Sequence, residues 1–526
     1  MNGAGFAGTR SGAAVSAPDP AQTQRPDSPR TDAHASQVVR IGAQSRSGDD
    51  IRARAQSLAE ALATLGVGAG DAVAHLAPNG FSHFEVELAM RALDGFVVPL
   101  NWHMAPPEIE YILYDCAAKA LVGTGSLLDS VGDALAPHVR RISLSPETGS
   151  ARLDYETLVR TPVSQTRKGR GLESSIIYTS GTTGKPKGVR RLPQNQREID
   201  ARAAALRVLY PSRPGARALV TGPQYHLFSL AVSMTYFGAG ASVTVMERFD
   251  AEEFLSLVER HQITHTHLVP TMMVRLMRLP AEVRNRYDTT SLEFLIHSGS
   301  ACAEDVKRAM IDWLGPVIWE SYGGTETGAL TMIGPEDWLS RPGSVGRPFA
   351  TGEVRIHGEA DEPLPPGAVG QVYGVMRGTP DFTYHGDPEK RAAAGLDGRF
   401  ATGDLGWLDD DGFLYICDRM VEKLISGGVN IYPAEIEAAI LSHPLVVDAA
   451  VIGIPDPEFG ESVCAHVTTT EPMSQDELRT HLRSRIAGFK IPRLIVFDDD
   501  LPRLENGKIL KRALRDAYRT GTWKAP

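Results

Sequence analysis

From about Asp50 onward the chain alternates segments of helical and strand periodicity, and this alternation limits its fold more than any other feature. Residues 51–65 space their apolar side chains as a helix does, and Gly66-Val-Gly-Ala-Gly70 ends the pattern. Residues 71–76 read as a strand, 84–93 as a helix and 96–100 as a strand, and the same rhythm returns over 216–319. Such alternation predicts parallel sheets with helices on their faces. Residues 219–246 carry no charged side chain and could pass for a membrane span. Gly222, Pro223, Gln224, His226, Gly238 and Gly240 interrupt the run, so it reads as strand, helix and strand inside a core, with no membrane span.

The texture changes after Ser340. Pro342, Gly343, Pro365, Pro366 and Gly367 punctuate short strands such as Gly352–His357, predicting a small β-rich subdomain over about 340–418. Beyond Asp418-Arg419, helices over 434–441 and 475–486 and strands over 449–452 and 494–497 outline an α+β unit, 419–526. Residues 1–48 hold few large apolar side chains and no signal-type apolar stretch, so they read as a disordered tail. The expected class is α/β: a large N-terminal region (49–418) of doubly wound sheets with helices and the β-rich subdomain, followed by an α+β C-terminal domain. The net charge of −10, with no basic stripe, points away from nucleic acid. Cys116, Cys302, Cys417 and Cys464 are scattered, which suggests reduced thiols and a cytoplasmic setting rather than a zinc or dithiol site.

One loop carries most of the chemistry: Tyr178-Thr-Ser-Gly-Thr-Thr-Gly-Lys-Pro-Lys-Gly188, directly after an apolar segment. Glycines let backbone approach a ligand, hydroxyl and N–H groups donate to phosphate oxygens, and lysines add charge. Only two residues separate Gly181 from Gly184, so this is not a Walker A loop. His265 and His267 would share a strand face, but no cysteine or carboxylate accompanies them as metal ligands usually require.

The loop resembles the phosphate-binding signature of the adenylate-forming superfamily of acyl-CoA synthetases, peptide-synthetase adenylation domains and luciferases. Further motifs follow in the same order to the C-terminus. The resemblance implies that Thr179, Ser180, Gly181, Thr182, Thr183, Gly184 and Lys187 hold the phosphates of ATP, with Thr182 among the catalytic groups. Ser298-Gly-Ser-Ala301 resembles the segment against which adenine lies, through Gly299, Ser300 and Ala301. Tyr322-Gly-Gly-Thr-Glu-Thr327 resembles the YGxTE motif, which implies that Tyr322 stacks on adenine, Gly323 lies beside it, Thr325 meets the α-phosphate and Glu326 ligates Mg²⁺. A carboxylate completed by phosphate oxygens suits that ion. Asp404 and Arg419 match the ribose contacts, and residues 418–428 match the hinge of a mobile lid domain, with Val421 where the family often has Asp or Lys. Lys508, after Asn506-Gly507, matches the catalytic lysine, a cation suited to a carboxylate attacking a polyanion. His226 matches a position beside the carboxylate and thioester tunnel, and the resemblance counts it and Glu326 with Thr182 and Lys508 among the catalytic groups.

The implied reaction has two steps: ATP and a carboxylic acid give acyl-AMP and pyrophosphate, and a thiol then displaces AMP. Gly427, Gly428 and Lys490 match positions on the path of CoA, so the resemblance is closest to bacterial fatty-acyl or steroid-acid CoA ligases. The expected substrates are ATP, CoA and a hydrophobic small-molecule carboxylic acid (fatty, steroid-type or aryl), with Mg²⁺. Two alternatives stay open: an acyl-AMP ligase loading a carrier protein in trans, and a non-catalytic nucleotide-binding member of the fold. A homodimer is also left open.

Overall fold

The structure, a computed structural model, describes residues 37–131, 139–145, 152–170, 175–179, 186–192, 195–385, 389, 391, 395–419, 424–426, 429–431, 433–456, 460–503 and 509–519. The first sheet is wholly parallel, in the order Phe96–Pro99, Ala72–Leu76, Ala120–Gly123, Arg140–Ser143, Leu153–Asp154. Its strands alternate between two apolar clusters. Ala72, Ala74, Leu76 and Leu121 pack with Ile112 and Leu128, while Val73, Ala120 and Val122 pack with Leu58, Leu62 and Met90. Period-two alternation thus feeds both faces, each covered by helices. The helix Gly48–Thr64 starts where Ser47 accepts from the Asp50 amide, and Asp49 and Asp50 complement its dipole.

A second, larger sheet has a parallel core in the order Val38–Ile41, Ser242–Val245, Arg217–Val220, His265–Leu268, Phe294–His297, Ile318–Gly324. The uncharged 219–246 run resolves into a strand, the helix Leu227–Gly238 and a strand, as its breakers predict. One expectation needs correction. The expected tail is structured from residue 37: Val38–Ile41 joins the sheet edge, and Gln37 Nε2 donates to the carbonyls of Phe237 (2.7 Å) and Ala241 (2.9 Å). An edge strand offers unpaired backbone groups, and four residues suffice to satisfy them. The strands of the β-rich region after Ser340 continue this larger sheet. Ser344–Pro348 pairs with Leu414–Arg419 at one end and Gly328–Ile333 at the other, so hydrogen bonding runs unbroken into Arg399–Leu408, Gly370–Met376 and Gly352–His357. Gly346 makes this corner: its φ is +97°, and a Cβ there would lie 2.1 Å from the Met332 oxygen.

Ile177–Thr179, Lys187–Arg191 and Phe382–Tyr384 form a small antiparallel sheet, so the phosphate-loop motif spans a hairpin. The C-terminal unit has Leu424–Ser426, Val429–Ile431, Val446–Asp456 and Gly460–Thr469 antiparallel, with Leu494–Phe497 parallel to the last. Helices Pro433–Leu441 and Gln475–Arg483 close its core through Ile436, Ile440, Leu478 and Leu482.

His75, His265, His267 and His297 are buried on strands of the two large sheets, and His83 is buried on the helix Phe81–Ala92. Burial penalises the imidazolium and pushes His83 and His265 down to about 4, His267 down to about 3, and His75 and His297 well below the usual value. The unfolded chain therefore takes up protons below about 6.5 that the folded chain refuses, and stability must fall as pH drops from there toward 4. Urea denaturation at pH 7 and pH 5 is expected to show this loss, and His267→Asn should shrink the difference by about 2 kcal/mol. In Gly346→Ala, the strained corner should lower stability by about 2–3 kcal/mol in the same assay at pH 7.

Candidate active site

Parallel strands emerge at one edge of the larger sheet, and the motif residues gather there. Residues 222–226 follow Arg217–Val220, residues 298–303 follow Phe294–His297, and Tyr322 to Gly324 end their own strand. Ligands in open α/β sheets bind at this carboxyl edge. The Ser298 hydroxyl donates to the Ser321 oxygen at 2.7 Å, tying two neighbouring loops together. Gly299, at φ +93°, turns the chain so that Gly299, Ser300 and Ala301 are exposed, leaving bare backbone for a flat ring.

Tyr322 donates to Asp404 Oδ2 at 2.6 Å. The residue matched to the adenine stack and the one matched to the ribose contact are therefore in direct contact, although 82 positions separate them. Asp404 is 8% exposed and faces Arg419 across paired strands, the other ribose match. Gly323 sits at a bulge where a Cβ would come within 2.0 Å of the Gly328 oxygen, so only glycine lets the two strands close. The Gly324 amide donates to Thr327 Oγ1 at 2.9 Å and shapes the turn that presents Thr325 and Glu326.

The small antiparallel sheet supplies the other wall. Arg191 spreads its fork over that turn, donating to the Glu326 oxygen and the Thr325 oxygen at 2.9 Å each. Tyr384 donates to Glu326 Oε1 at 3.3 Å, and Lys187 Nζ lies 5.6 Å from the Tyr384 ring centre. Burial first, and then the Glu326 charge, pushes the Tyr384 phenol well above its usual range, so it stays a donor. A cavity of about 250 Å³ opens beside Glu326, bordered also by Arg191, Thr379, Asp381 and Arg391. The half-buried Glu326 carboxylate, held at one oxygen by a neutral phenol, fits a Mg²⁺ ion that takes its other ligands from phosphates.

His226 caps the Leu227–Gly238 helix through its backbone, not its side chain. Its Nε2 is buried with no hydrogen-bond partner among the described residues, and burial pushes the imidazole down to about 4, so it is neutral near pH 7. Asn79 and Gln224 hold the loop before it. Asn79 donates to the oxygens of Gly222 (3.2 Å) and Met246 (2.7 Å) and accepts from the Gln224 amide (2.7 Å), while Gln224 Oε1 accepts from the Gly80 amide (3.0 Å). Lys490 lies in the C-terminal unit, its ammonium 2.6 Å from both oxygens of Glu435.

The structure thus joins Tyr322 with Asp404 and Glu326 with the phosphate-loop hairpin, and places Lys490 apart on the other unit. Ser180, Gly181, Thr182, Thr183, Gly184, Val421, Gly427, Gly428 and Lys508 lie outside the described residues; Thr179 and Arg419 are described as strand positions only. Sequence reasoning missed Arg191, Tyr384, Asn79 and Gln224. Arg191 and Tyr384 flank the hairpin pairing that carries Lys187, so the β-register was the one signal that could have found them.

A family model described as "AMP-binding enzyme" matches residues 24–379, and its companion, "AMP-binding enzyme C-terminal domain", matches 435–508. The chain is similar to a feruloyl-CoA synthase of Amycolatopsis sp (33% identity over 91% of this chain and 96% of the relative). It is also similar to the fatty acid–acyl-carrier-protein ligase ScoC of Streptomyces coeruleorubidus (32%; 89% and 91%). Among solved structures, the amide bond synthetase McbA of Marinactinospora thermotolerans superposes with a TM-score of 0.81 at 28% identity, covering 92% of this chain and 97% of McbA.

Removing the Arg191 fork should release the turn that carries Glu326. Arg191→Ala is expected to weaken Mg·ATP binding about tenfold to a hundredfold, the worth of one or two charge-assisted bonds. Arg191→Lys should recover only part of this, because an ammonium cannot span two carbonyls as a planar fork does. Calorimetric titration of both variants would check it.

Proposed function

The chain belongs to the AMP-binding enzyme family, and we propose that it is an AMP-forming acid–thiol ligase that adenylates a hydrophobic carboxylic acid and transfers the acyl group to CoA. The observation that carries this reading is the joining of Tyr322 to Asp404 beside the Arg191-held turn that presents Glu326. A base-and-ribose slot thus adjoins a carboxylate suited to a phosphate-bound cation.

In the first step a carboxylate oxygen of the acid attacks the α-phosphorus of ATP, and the bond to pyrophosphate breaks. Tyr322 and the 299–301 backbone hold adenine, and Asp404 and Arg419 hold the ribose. Thr182, its neighbours and Lys187 hold the phosphates, and Thr325 meets the α-phosphate. Mg²⁺ bound at Glu326 would neutralise phosphate charge. Lys508 stabilises the charge that develops between carboxylate and phosphate. Arg191 keeps Thr325 and Glu326 in place, so neither has to be ordered when ATP arrives. In the second step the thiol gives up its proton to solvent, its sulfur attacks the acyl carbon and AMP leaves with the bonding electrons. His226, neutral and buried beside this path, lines it without adding charge.

The lid begins where the large sheet ends: Leu414–Arg419 is its last strand, and Leu424–Ser426 belongs to the C-terminal sheet. The matched segment 418–428 serves as the hinge, with residues 419–526 turning to bring in Lys508 for the first step and Gly427, Gly428 and Lys490 for the second. The Lys490–Glu435 pair then has to open for Lys490 to meet CoA. The names of the feruloyl-CoA synthase and of the fatty acid–acyl-carrier-protein ligase ScoC carry two different acceptors, so transfer to a carrier protein is the second reading.

Pyrophosphate release with Mg·ATP across fatty, aryl and steroid acids, with and without CoA, tests both. A CoA-dependent rise with acyl-CoA formed is expected, and Lys508→Ala should lose adenylation by at least about a hundredfold. Turnover unaffected by CoA but raised by a carrier protein would favour the second reading.

A further inference from the structure

Behind the slot proposed for adenine lies a buried ion pair that none of the steps above uses. Lys307 Nζ donates to Glu320 Oε2 at 2.5 Å, with the Lys307 side chain 1% and the Glu320 side chain 9% exposed. His297 Nε2 approaches the same carboxylate oxygen at 3.5 Å, and His297 and Glu320 face each other across paired strands. The Lys307 ammonium also sits 4.7 Å from the buried Trp338 ring centre.

The sequence positions of these groups give the cluster its meaning. His297 is the last residue before the 298–303 loop, and Lys307 lies in the first turns of the helix Glu304–Leu314 that ends it. Glu320 lies two residues before Tyr322 on the neighbouring strand. One carboxylate therefore anchors the helix that ends the loop offering Gly299, Ser300 and Ala301 and, through its own backbone, the start of the Tyr322 segment, while the neutral His297 at the other end of the loop packs against it. Apolar packing would hold these elements together but is non-directional. A buried charge pair fixes the separation of two named atoms and gains little net stability, since desolvation offsets the attraction.

We propose that Lys307 and Glu320 are positioning residues that set the width of the adenine slot between the 298–301 backbone and the Tyr322 ring. The inference rests on the nucleotide reading above and adds two residues to it.

The test replaces the pair by apolar side chains, since removing one charge alone would strand the other in the core. Lys307→Met/Glu320→Leu, made in the full-length chain, is expected to melt cooperatively near wild type yet bind AMP about tenfold to a hundredfold more weakly, the cost of a misplacement near 1 Å. Tripolyphosphate, which has no base, should bind as tightly as before. If the double variant does not fold, Lys307→Met/Glu320→Gln, which keeps a polar oxygen at position 320, takes its place with the same expectation. Wild-type AMP affinity in either folded variant overturns the proposal, as does equal weakening toward AMP and tripolyphosphate, which would mark general damage. Wild-type protein that binds no AMP would instead overturn the nucleotide reading itself.

Discussion

Parallel strand pairing is the constraint on which everything else in this molecule depends. Strands that run the same way need crossovers, and each crossover brings the chain back to start again from the opposite edge. Every strand of the parallel core therefore ends on one side, so loops far apart in sequence must gather there. Residues 222–226, 298–303 and 322–327 meet because Arg217–Val220, His265–Leu268, Phe294–His297 and Ile318–Gly324 are adjacent and parallel. The antiparallel turn after Tyr322 then bends the sheet through the Gly346 corner and brings Asp404 back to Tyr322.

The polar groups buried along this edge share a logic. Asn79 and Gln224 satisfy loop backbone between the two large sheets, Arg191 satisfies the turn before Thr327, and Glu320 holds Lys307. Each holds a loop by directional contacts where apolar packing would let it slide. Desolvation makes such contacts expensive and their gain in stability small, so their value lies in fixing position. The neutral buried histidines are the matching liability, since they tie folding to a pH at which imidazole is unprotonated.

Much of this was legible from residue order. Periodicity located the parallel strands because their burial on both faces writes apolar runs, and the breakers in 219–246 divided that run as found. The motif residues Tyr322, Glu326 and Asp404 were singled out through the resemblance of their segments to motifs of the adenylate-forming superfamily. Arg191 was not: an arginine on a short strand looks like any solvated cation until the register shows the carbonyls within its reach. The 37–47 hairpin was lost in a low-complexity neighbourhood, because its partners stand 200 residues away.

Local pattern determined the class of fold, the parallel core and the kinds of group the site would contain, because helix and strand periods and glycine-rich turns are properties of neighbouring residues. Only the tertiary structure decided that Tyr322 meets Asp404, that Arg191 holds the Glu326 turn and that Lys307 reaches Glu320. Those contacts join residues on separate elements, and their distances are set by strand order and register, which the spacing of residues along the chain does not carry.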